Sequence, residues 1–170
     1  MDPRAMPIAL QPVTASAAAS VRAFATAALS DSQYAEPLLA ALDGALAREN
    51  DEYRAIVAWH DNAIVGFIVY GETAGALGAG RIYLIAVDAG ARERGVAAQL
   101  VDAVCNELAA SGARLAMIEL PGEPRFAPVR RLAERMGFRQ QGRVDDYLRD
   151  GVPLILLRRD LAPTRSDSAS

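Results

Sequence analysis

The feature that most constrains the fold is an apolar run that passes directly into a helical pattern. Residues 81–88, "RIYLIAVD", are rich in β-branched and aromatic side chains, which predicts a strand buried on both faces. The next segment has an apolar residue at every fourth position: Val96, Leu100, Val104 and Leu108. That spacing predicts a helix with one apolar face. A strand followed by a helix is half of a parallel crossover, so a mixed α/β domain is expected.

Caps, turns and hydrophobic runs predict the other elements on both sides of this unit. In order, they are a strand at 8–13, a helix capped by Thr14 that ends near Leu29, a helix at 36–48, a hairpin around Asp61-Asn62, the strand and helix above, a strand at 113–120, a helix closed by Gly137, and a hairpin around Asp150-Gly151. The glycine-rich residues 73–80 are expected to be a loop.

Composition and charge narrow the classes of protein that the chain can be. Its 170 residues, 52% of them hydrophobic, predict one domain over residues 1–162 and a disordered tail over residues 163–170. A net charge of −3 gives no overall attraction to nucleic acid or to an anionic membrane. Neither a membrane-spanning run nor a signal peptide is recognisable. With one cysteine no intramolecular disulfide can form, and a cytoplasmic location is predicted.

The sequence contains few residues that could form a metal site or a dinucleotide-binding loop. His60 is the one histidine and lies beside a predicted turn, so it is interpreted as an exposed hairpin residue. Cys105 lies in a predicted helix and is interpreted as a small core residue. Without further histidines or cysteines no metal site is expected. The glycines at 75, 78 and 80 precede a strand and lack the spacing of a dinucleotide loop.

Residues 88–101, "DAGARERGVAAQLV", are suited to holding an anion in front of a helix. A helix N-terminus has unpaired N–H groups and a partial positive charge. Gly95 would let a ligand approach the backbone, and Arg92 and Arg94 would add forked donors for phosphate oxygens. A bound pyrophosphate would explain the stretch; a loop with solvated arginines is the alternative.

The same residues resemble a known family. "RERGVA", residues 92–97, is similar to the Arg/Gln-x-x-Gly-x-Gly/Ala motif of the GNAT family of N-acetyltransferases. The strand before it, the later "LAERMGF" and the last hairpin follow the family's order, and the resemblance covers residues 8–161. It implies a mixed, mostly antiparallel twisted sheet of about seven strands with about four helices. A central parallel pair of strands would splay into a V.

The resemblance also implies a reaction and a cofactor site. Members transfer an acetyl group from acetyl-CoA to a primary amine by direct attack in a ternary complex. The pantetheine arm would pair with the fourth strand at Ile85, Ala86 and Val87, and an N–H near Val87 would stabilise the oxyanion. The pyrophosphate would lie on a second group of residues, Arg92, Arg94, Gly95, Val96 and Ala97.

The sequence departs from the family where the catalytic acid is expected. The tyrosine often found four residues before the Gly-Phe of the fourth helix is Ala133 here, and the asparagine seven residues earlier is Phe126. Another group could protonate the thiolate, the thiolate could leave unassisted, or the protein could bind coenzyme A without rapid turnover. Tyr147 in the last hairpin is the candidate substitute, unless its ring simply packs on the strand.

The remaining candidates concern the base and the acceptor amine. Glu119 lies inside an apolar strand and could accept the ammonium proton directly or through water, or else form an ion pair with a nearby arginine. Tyr34 is a candidate acceptor contact, and Tyr83 faces either the cleft or the core. Acidic loop residues could attract a cationic acceptor or be solvated. They are Glu36, Glu72, Asp145 and Asp146.

The sequence predicts an N-acetyltransferase acting on a small molecule or peptide, as a monomer or a homodimer. The alternative is a regulatory or degenerate module that binds coenzyme A and lacks efficient chemistry. No motif identifies the acceptor amine.

Overall fold

The computed structural model describes residues 7–47 and 52–161. Arg48, the predicted domain end at residue 162 and the predicted disordered tail therefore lie outside the described residues. The strands are β1 (Ala9–Pro12), β2 (Arg54–His60), β3 (Ala63–Glu72), β4 (Ala79–Val87), β5 (Leu115–Pro121), β6 (Arg139–Arg149) and β7 (Val152–Asp160). The helices are α1 (Ala18–Ala28), α2 (Ala35–Ala47), α3 (Val96–Ala110) and α4 (Ala127–Arg135).

Over the described residues the seven strands follow the order β1-β2-β3-β4-β5-β7-β6, and β4 with β5 is the one parallel pair. The β4–α3–β5 segment is the crossover that the apolar run and the helical spacing predict. A mixed, mainly antiparallel sheet flanked by four helices confirms the predicted fold class.

The internal contacts of the chain divide it into two units. The first unit contains the residues up to Gly71 together with Ile82–Val104, and the second contains Glu72–Arg81 and the residues from Cys105 on. Each unit has buried apolar side chains from both helices and strands.

The core of the first unit lies between the two N-terminal helices and the β2–β3 hairpin. Val21 of α1 and Leu42 of α2 are fully buried in one cluster with Val57 and Phe67 of the strands. Phe24 meets the ring of Phe67 edge-to-face at 6.0 Å. Each such side chain contributes about 1.5–3 kcal/mol by leaving water. Burial of the apolar faces therefore holds α1 and α2 on the sheet.

The Asp61-Asn62 turn and the Thr14 cap form where the sequence predicts them. Asp61 and Asn62 both have positive φ, 47° and 63°, which matches the right-handed twist of a two-residue hairpin. Thr14 Oγ1 accepts a hydrogen bond from the Ala17 N–H at 3.3 Å, where a short 3-10 helix leads into α1. The hairpin and the cap are therefore confirmed.

The second unit contains the antiparallel β5–β7–β6 strands and α4. A Cβ on Gly80 would lie 2.5 Å from Leu108 Cδ1 of α3, so a larger residue there would require the Leu108 side chain to move. In the β6–β7 hairpin Gly151 has φ 77°, and its N–H donates to Asp146 Oδ1 at 2.7 Å. The register shifts between Val144 and Arg149, so β6 bulges just before the turn. The hairpin is confirmed, and the bulge is a feature that the sequence did not reveal.

The burial of β4 corrects one prediction. The apolar run predicts a strand covered on both faces, whereas only Gly80, Ile82 and Leu84 are buried and the residues between them are half-buried. From Ile85 to Val87 every side chain is half-buried. The prediction was wrong because side-chain polarity does not reveal which face the tertiary structure covers. The strand also begins at Ala79, inside the predicted loop.

Candidate active site

The end of β4 leads into a tight turn that Asp88 organises. Its Oδ2 accepts a hydrogen bond from the Gly90 N–H at 2.9 Å, and its carbonyl oxygen accepts one from the Ala91 N–H at 2.9 Å. A 3-10 helix over Ala89–Arg94 follows. These bonds stop the strand at Val87 and direct the chain into α3 within a few residues.

Gly95 joins this turn to α3 in a left-handed conformation. Its φ and ψ are 76° and 10°, values that cost an L-residue about 1–2 kcal/mol. A Cβ at this position would meet nothing within 4 Å. Glycine is therefore required by backbone conformation rather than by packing, and the space beside it is open.

The N-terminus of α3 presents backbone donors at this open space. The first helical hydrogen bond runs from the Gln99 N–H to the Gly95 carbonyl at 3.0 Å. The N–H groups of Val96, Ala97 and Ala98 precede it and have no partner in helix geometry. Since Gly95 carries no side chain to cap them, these groups can bind an anion.

Two exposed arginines flank the same turn. Arg92 and Arg94 lie in the 3-10 helix just before Gly95. The Arg92 Nε donates to the Val87 carbonyl oxygen at 3.2 Å. Consecutive residues thus bring together the positive side chains, the open glycine and the helix N-terminus.

The orientation of the last peptide group of β4 follows from one bond to β3. The Asp88 N–H donates to the Val65 carbonyl at 2.8 Å. No cis peptide bond is found in the described chain, so the Val87 carbonyl of the same peptide group points away from β3. On that side the carbonyl accepts the hydrogen bond from Arg92, and the side chains of Ile85, Ala86 and Val87 are half-buried.

Gly66 of β3 supports this end of β4, and the sequence interpretation missed it. A Cβ on Gly66 would lie 3.0 Å from the Ala86 carbonyl oxygen, 3.2 Å from Val87 Cγ2 and 3.3 Å from Leu100 Cδ1. All three contacts are tighter than ordinary van der Waals distances. A glycine inside a strand pattern indicates a close backbone approach, so the signal was present in "AIVGFIVYGE".

Glu119 forms an ion pair. The Arg81 Nη2 donates to Glu119 Oε2, and the two side chains are 32% and 31% exposed. The arginine belongs to β4 and the carboxylate to β5, and both lie in the second unit. The alternative interpretation of Glu119 as one member of an ion pair is therefore observed, and the carboxylate keeps partial contact with solvent.

The tyrosine candidates differ in their surroundings. Tyr147 lies on the bulged part of β6 and is 63% exposed, so its ring is not packed into a core. Tyr83 packs against Tyr53 with ring centroids 4.9 Å apart. Tyr34 immediately precedes α2, and its N–H donates to Ser32 Oγ at 3.2 Å. Tyr34, Tyr83 and the cofactor candidates belong to the first unit, whereas Tyr147 and Glu119 belong to the second.

Ala133 and Phe126 stand at the positions of the family's tyrosine acid and asparagine, and they differ in burial. Ala133 is buried, at 2% exposure, on α4. Phe126 ends the short 3-10 helix before α4 and borders a groove of about 280 Å³ in the second unit. Other residues lining the groove include Leu120, Pro121, Glu123, Arg130, Arg143 and Ile155.

His60 and Cys105 remain to be placed in the structure. His60 lies with Nδ1 3.1 Å from the Pro7 carbonyl and Nε2 3.3 Å from Asp61 Oδ2, and its side chain is 26% exposed. Cys105 is buried in α3. In residues 7–47 and 52–161 no three His, Cys, Asp or Glu side chains are grouped closely enough to hold a metal ion. Nor does any helix there have the length and apolarity needed to cross a membrane.

Comparisons with known proteins agree with this geometry. The model of the Acetyltransferase (GNAT) family matches residues 20–138. A crystal structure from Desulfovibrio desulfuricans, described as an acetyltransferase of the GNAT family, is 26% identical and superposes with a TM-score of 0.82, covering 92% of this chain and all of that one. No curated protein matches by sequence.

Two more distant structures share the fold. The ribosomal-protein-S18-alanine N-acetyltransferase of Escherichia coli is 13% identical with a TM-score of 0.72, over 95% of this chain and 98% of that one. An aminoglycoside 6′-N-acetyltransferase complexed with coenzyme A is 14% identical with a TM-score of 0.73, over 91% and 98%. Since the family model spans more than half of the chain, this protein belongs to the GNAT family of acetyltransferases, which use acetyl-CoA as acetyl donor.

Proposed function

We propose that the protein transfers an acetyl group from acetyl-CoA to a primary amine of a small molecule or peptide, in a ternary complex and without an acetyl-enzyme intermediate. The observation that carries the proposal is the junction of β4 and α3. There the left-handed Gly95, with open space beside it, precedes backbone N–H groups that have no helical partner.

The residues at this junction fit coenzyme A. The turn over residues 92–97 would hold the pyrophosphate through the N–H groups of α3 and through Arg92 and Arg94. Ile85, Ala86 and Val87 would pair with the pantetheine arm along the half-buried end of β4. When bound, acetyl-CoA supplies a thioester whose carbonyl carbon is open to attack by an amine.

Two proton transfers accompany the attack, and Glu119 and Tyr147 are assigned to them. A primary ammonium has a pKa of about 10 in water and must lose a proton before its nitrogen can form the new C–N bond. Glu119 accepts that proton, directly or through water, while Arg81 holds one of its oxygens. As the C–S bond breaks, the sulfur gains a proton from Tyr147, whose exposed side chain can regain one from solvent. A backbone N–H near Val87 stabilises the oxyanion.

A second function is favoured by one observation. The position of the family's tyrosine acid is Ala133, which is almost fully buried. A module that binds coenzyme A as a regulatory ligand would not need that acid. The two functions differ in whether a bound donor releases its thiol in the presence of an amine.

The experiment has two stages. Titration calorimetry with acetyl-CoA measures donor binding, and a free-thiol assay then measures amine-dependent release. The amines are a polyamine, an amino acid, a lysine side chain in a peptide, an aminoglycoside and a peptide with an N-terminal alanine. The last two are included because fold neighbours are named for such acceptors.

The outcomes separate the two functions. Micromolar binding with amine-dependent release of thiol supports the transferase. Binding without release from any amine favours the regulatory module. Absence of binding would contradict the assignment of residues 92–97 and with it both functions.

A further inference from the structure

The Arg92 side chain is hydrogen-bonded to a backbone carbonyl group that the proposed function requires. Its Nε donates to the Val87 carbonyl oxygen at 3.2 Å. That oxygen points away from β3, because the N–H of the same trans peptide group is used by Val65. The guanidinium of an exposed residue is thus bonded to the side of the last β4 peptide that faces away from β3.

Arg92 could bond either to the Val87 carbonyl oxygen or to a phosphate oxygen, and the two hydrogen bonds differ in strength. A hydrogen bond from an arginine to an exposed neutral carbonyl contributes about 0.5–1.5 kcal/mol, or about two- to tenfold in an equilibrium constant, because water competes for both groups. A bond to a phosphate oxygen joins two opposite charges and can be bidentate, so it is the stronger of the two. A pyrophosphate in the turn over residues 92–97 would therefore draw the guanidinium away from the Val87 oxygen.

We propose that Arg92 determines donor specificity by linking the pantetheine and pyrophosphate sites. A donor with a pyrophosphate recruits Arg92 and thereby frees the Val87 carbonyl for a pantetheine N–H. A pantetheine thioester without the pyrophosphate has to compete with Arg92 for that carbonyl. The protein thus selects acyl-CoA over shorter pantetheine thioesters. This inference rests on the proposed function, because it assumes that coenzyme A binds at the end of β4.

Arg94 provides the matched control. It lies in the same 3-10 helix and is also exposed. The bond to the Val87 oxygen comes from Arg92. Removal of either guanidinium weakens attraction for a pyrophosphate, but only removal of Arg92 frees the carbonyl.

The test measures dissociation constants for acetyl-CoA and S-acetylpantetheine with the wild type, Arg92→Ala and Arg94→Ala, by calorimetry or competition. Arg92→Ala is expected to weaken acetyl-CoA binding by about tenfold or more and to tighten S-acetylpantetheine binding by about two- to tenfold. Arg94→Ala is expected to weaken acetyl-CoA binding without the gain. A purely structural role for Arg92 would not move the two donors in opposite directions.

Three results would overturn the inference. They are no gain in S-acetylpantetheine binding by Arg92→Ala, weaker binding of both donors by that variant, and an equal gain in Arg94→Ala. Each leaves the proposed function standing if the wild type binds acetyl-CoA. Failure of the wild type to bind acetyl-CoA would instead refute the proposed function itself.

Discussion

A carboxylate at Gly95 should weaken donor binding while leaving the fold intact. The glycine has φ 76° at the start of α3, and a Cβ there has no neighbour within 4 Å. In Gly95→Glu the new side chain would therefore enter open space without a clash. It would place a negative charge where the pyrophosphate is proposed to lie.

The two effects of this substitution have different sizes. The left-handed conformation costs about 1–2 kcal/mol in an L-residue, and each kcal/mol lowers Tm by roughly 2–4 °C in a chain of this length. Two like charges about 4 Å apart repel by about 1 kcal/mol in water and about 4 kcal/mol at an effective dielectric constant near 20. Donor affinity should therefore fall roughly 5- to 1,000-fold.

Gly75 offers a control with the same φ and the same open surroundings. It also has φ 76°, and a Cβ on it would also meet nothing within 4 Å, but it lies in the loop before β4. Gly75→Glu should lower Tm as much as Gly95→Glu does and leave acetyl-CoA affinity within about twofold. Thermal unfolding measures the first quantity and titration calorimetry the second.

A third variant separates strain from charge. Gly95→Ala has the same backbone cost and no carboxylate, so its acetyl-CoA affinity should lie between those of the wild type and Gly95→Glu. If Gly95→Glu binds acetyl-CoA as tightly as Gly75→Glu does, the pyrophosphate is not held at this turn, and the reasoning from the β4–α3 junction is refuted.

Three further substitutions test the other assigned roles. Tyr147→Phe should lower kcat with little change in acetyl-CoA affinity or Tm, because the ring is 63% exposed; unchanged kcat would remove the acid role. Glu119→Gln should lower kcat/KM by about 10²- to 10⁴-fold if the carboxylate is the base, and wild-type rates would leave only its ion pair with Arg81. Gly66→Ala should weaken acetyl-CoA binding, since its Cβ would press on the Ala86 carbonyl; unchanged affinity measured by calorimetry would mean that this end of β4 does not bind the donor.

Local patterns were sufficient to predict most elements of the fold. The period of four at Val96, Leu100, Val104 and Leu108 predicted α3, and all four side chains are fully buried. The Asp61-Asn62 pair predicted the first hairpin because few other residues adopt positive φ at both turn positions. Such features depend on residues close in sequence, and for that reason sequence alone determines them.

The candidate site was only partly visible in the sequence. The turn over residues 92–97 is a local structure, and its glycine and arginines could be identified without coordinates. The partner of Glu119 could not be, because Arg81 is separated from it by 38 positions and belongs to another strand. No local pattern indicates which of several arginines such a carboxylate will meet.

The sequence by itself thus determined most elements of the fold and the turn over residues 92–97, since periodicity, capping and positive φ act over a few residues. Only the tertiary structure decided how far the end of β4 is covered, that Gly66 makes room for the Ala86 carbonyl, and that Arg92 lies on the Val87 oxygen. The physical reason is that burial and side-chain pairing depend on distant segments brought together by packing, which residue order does not encode in any short pattern.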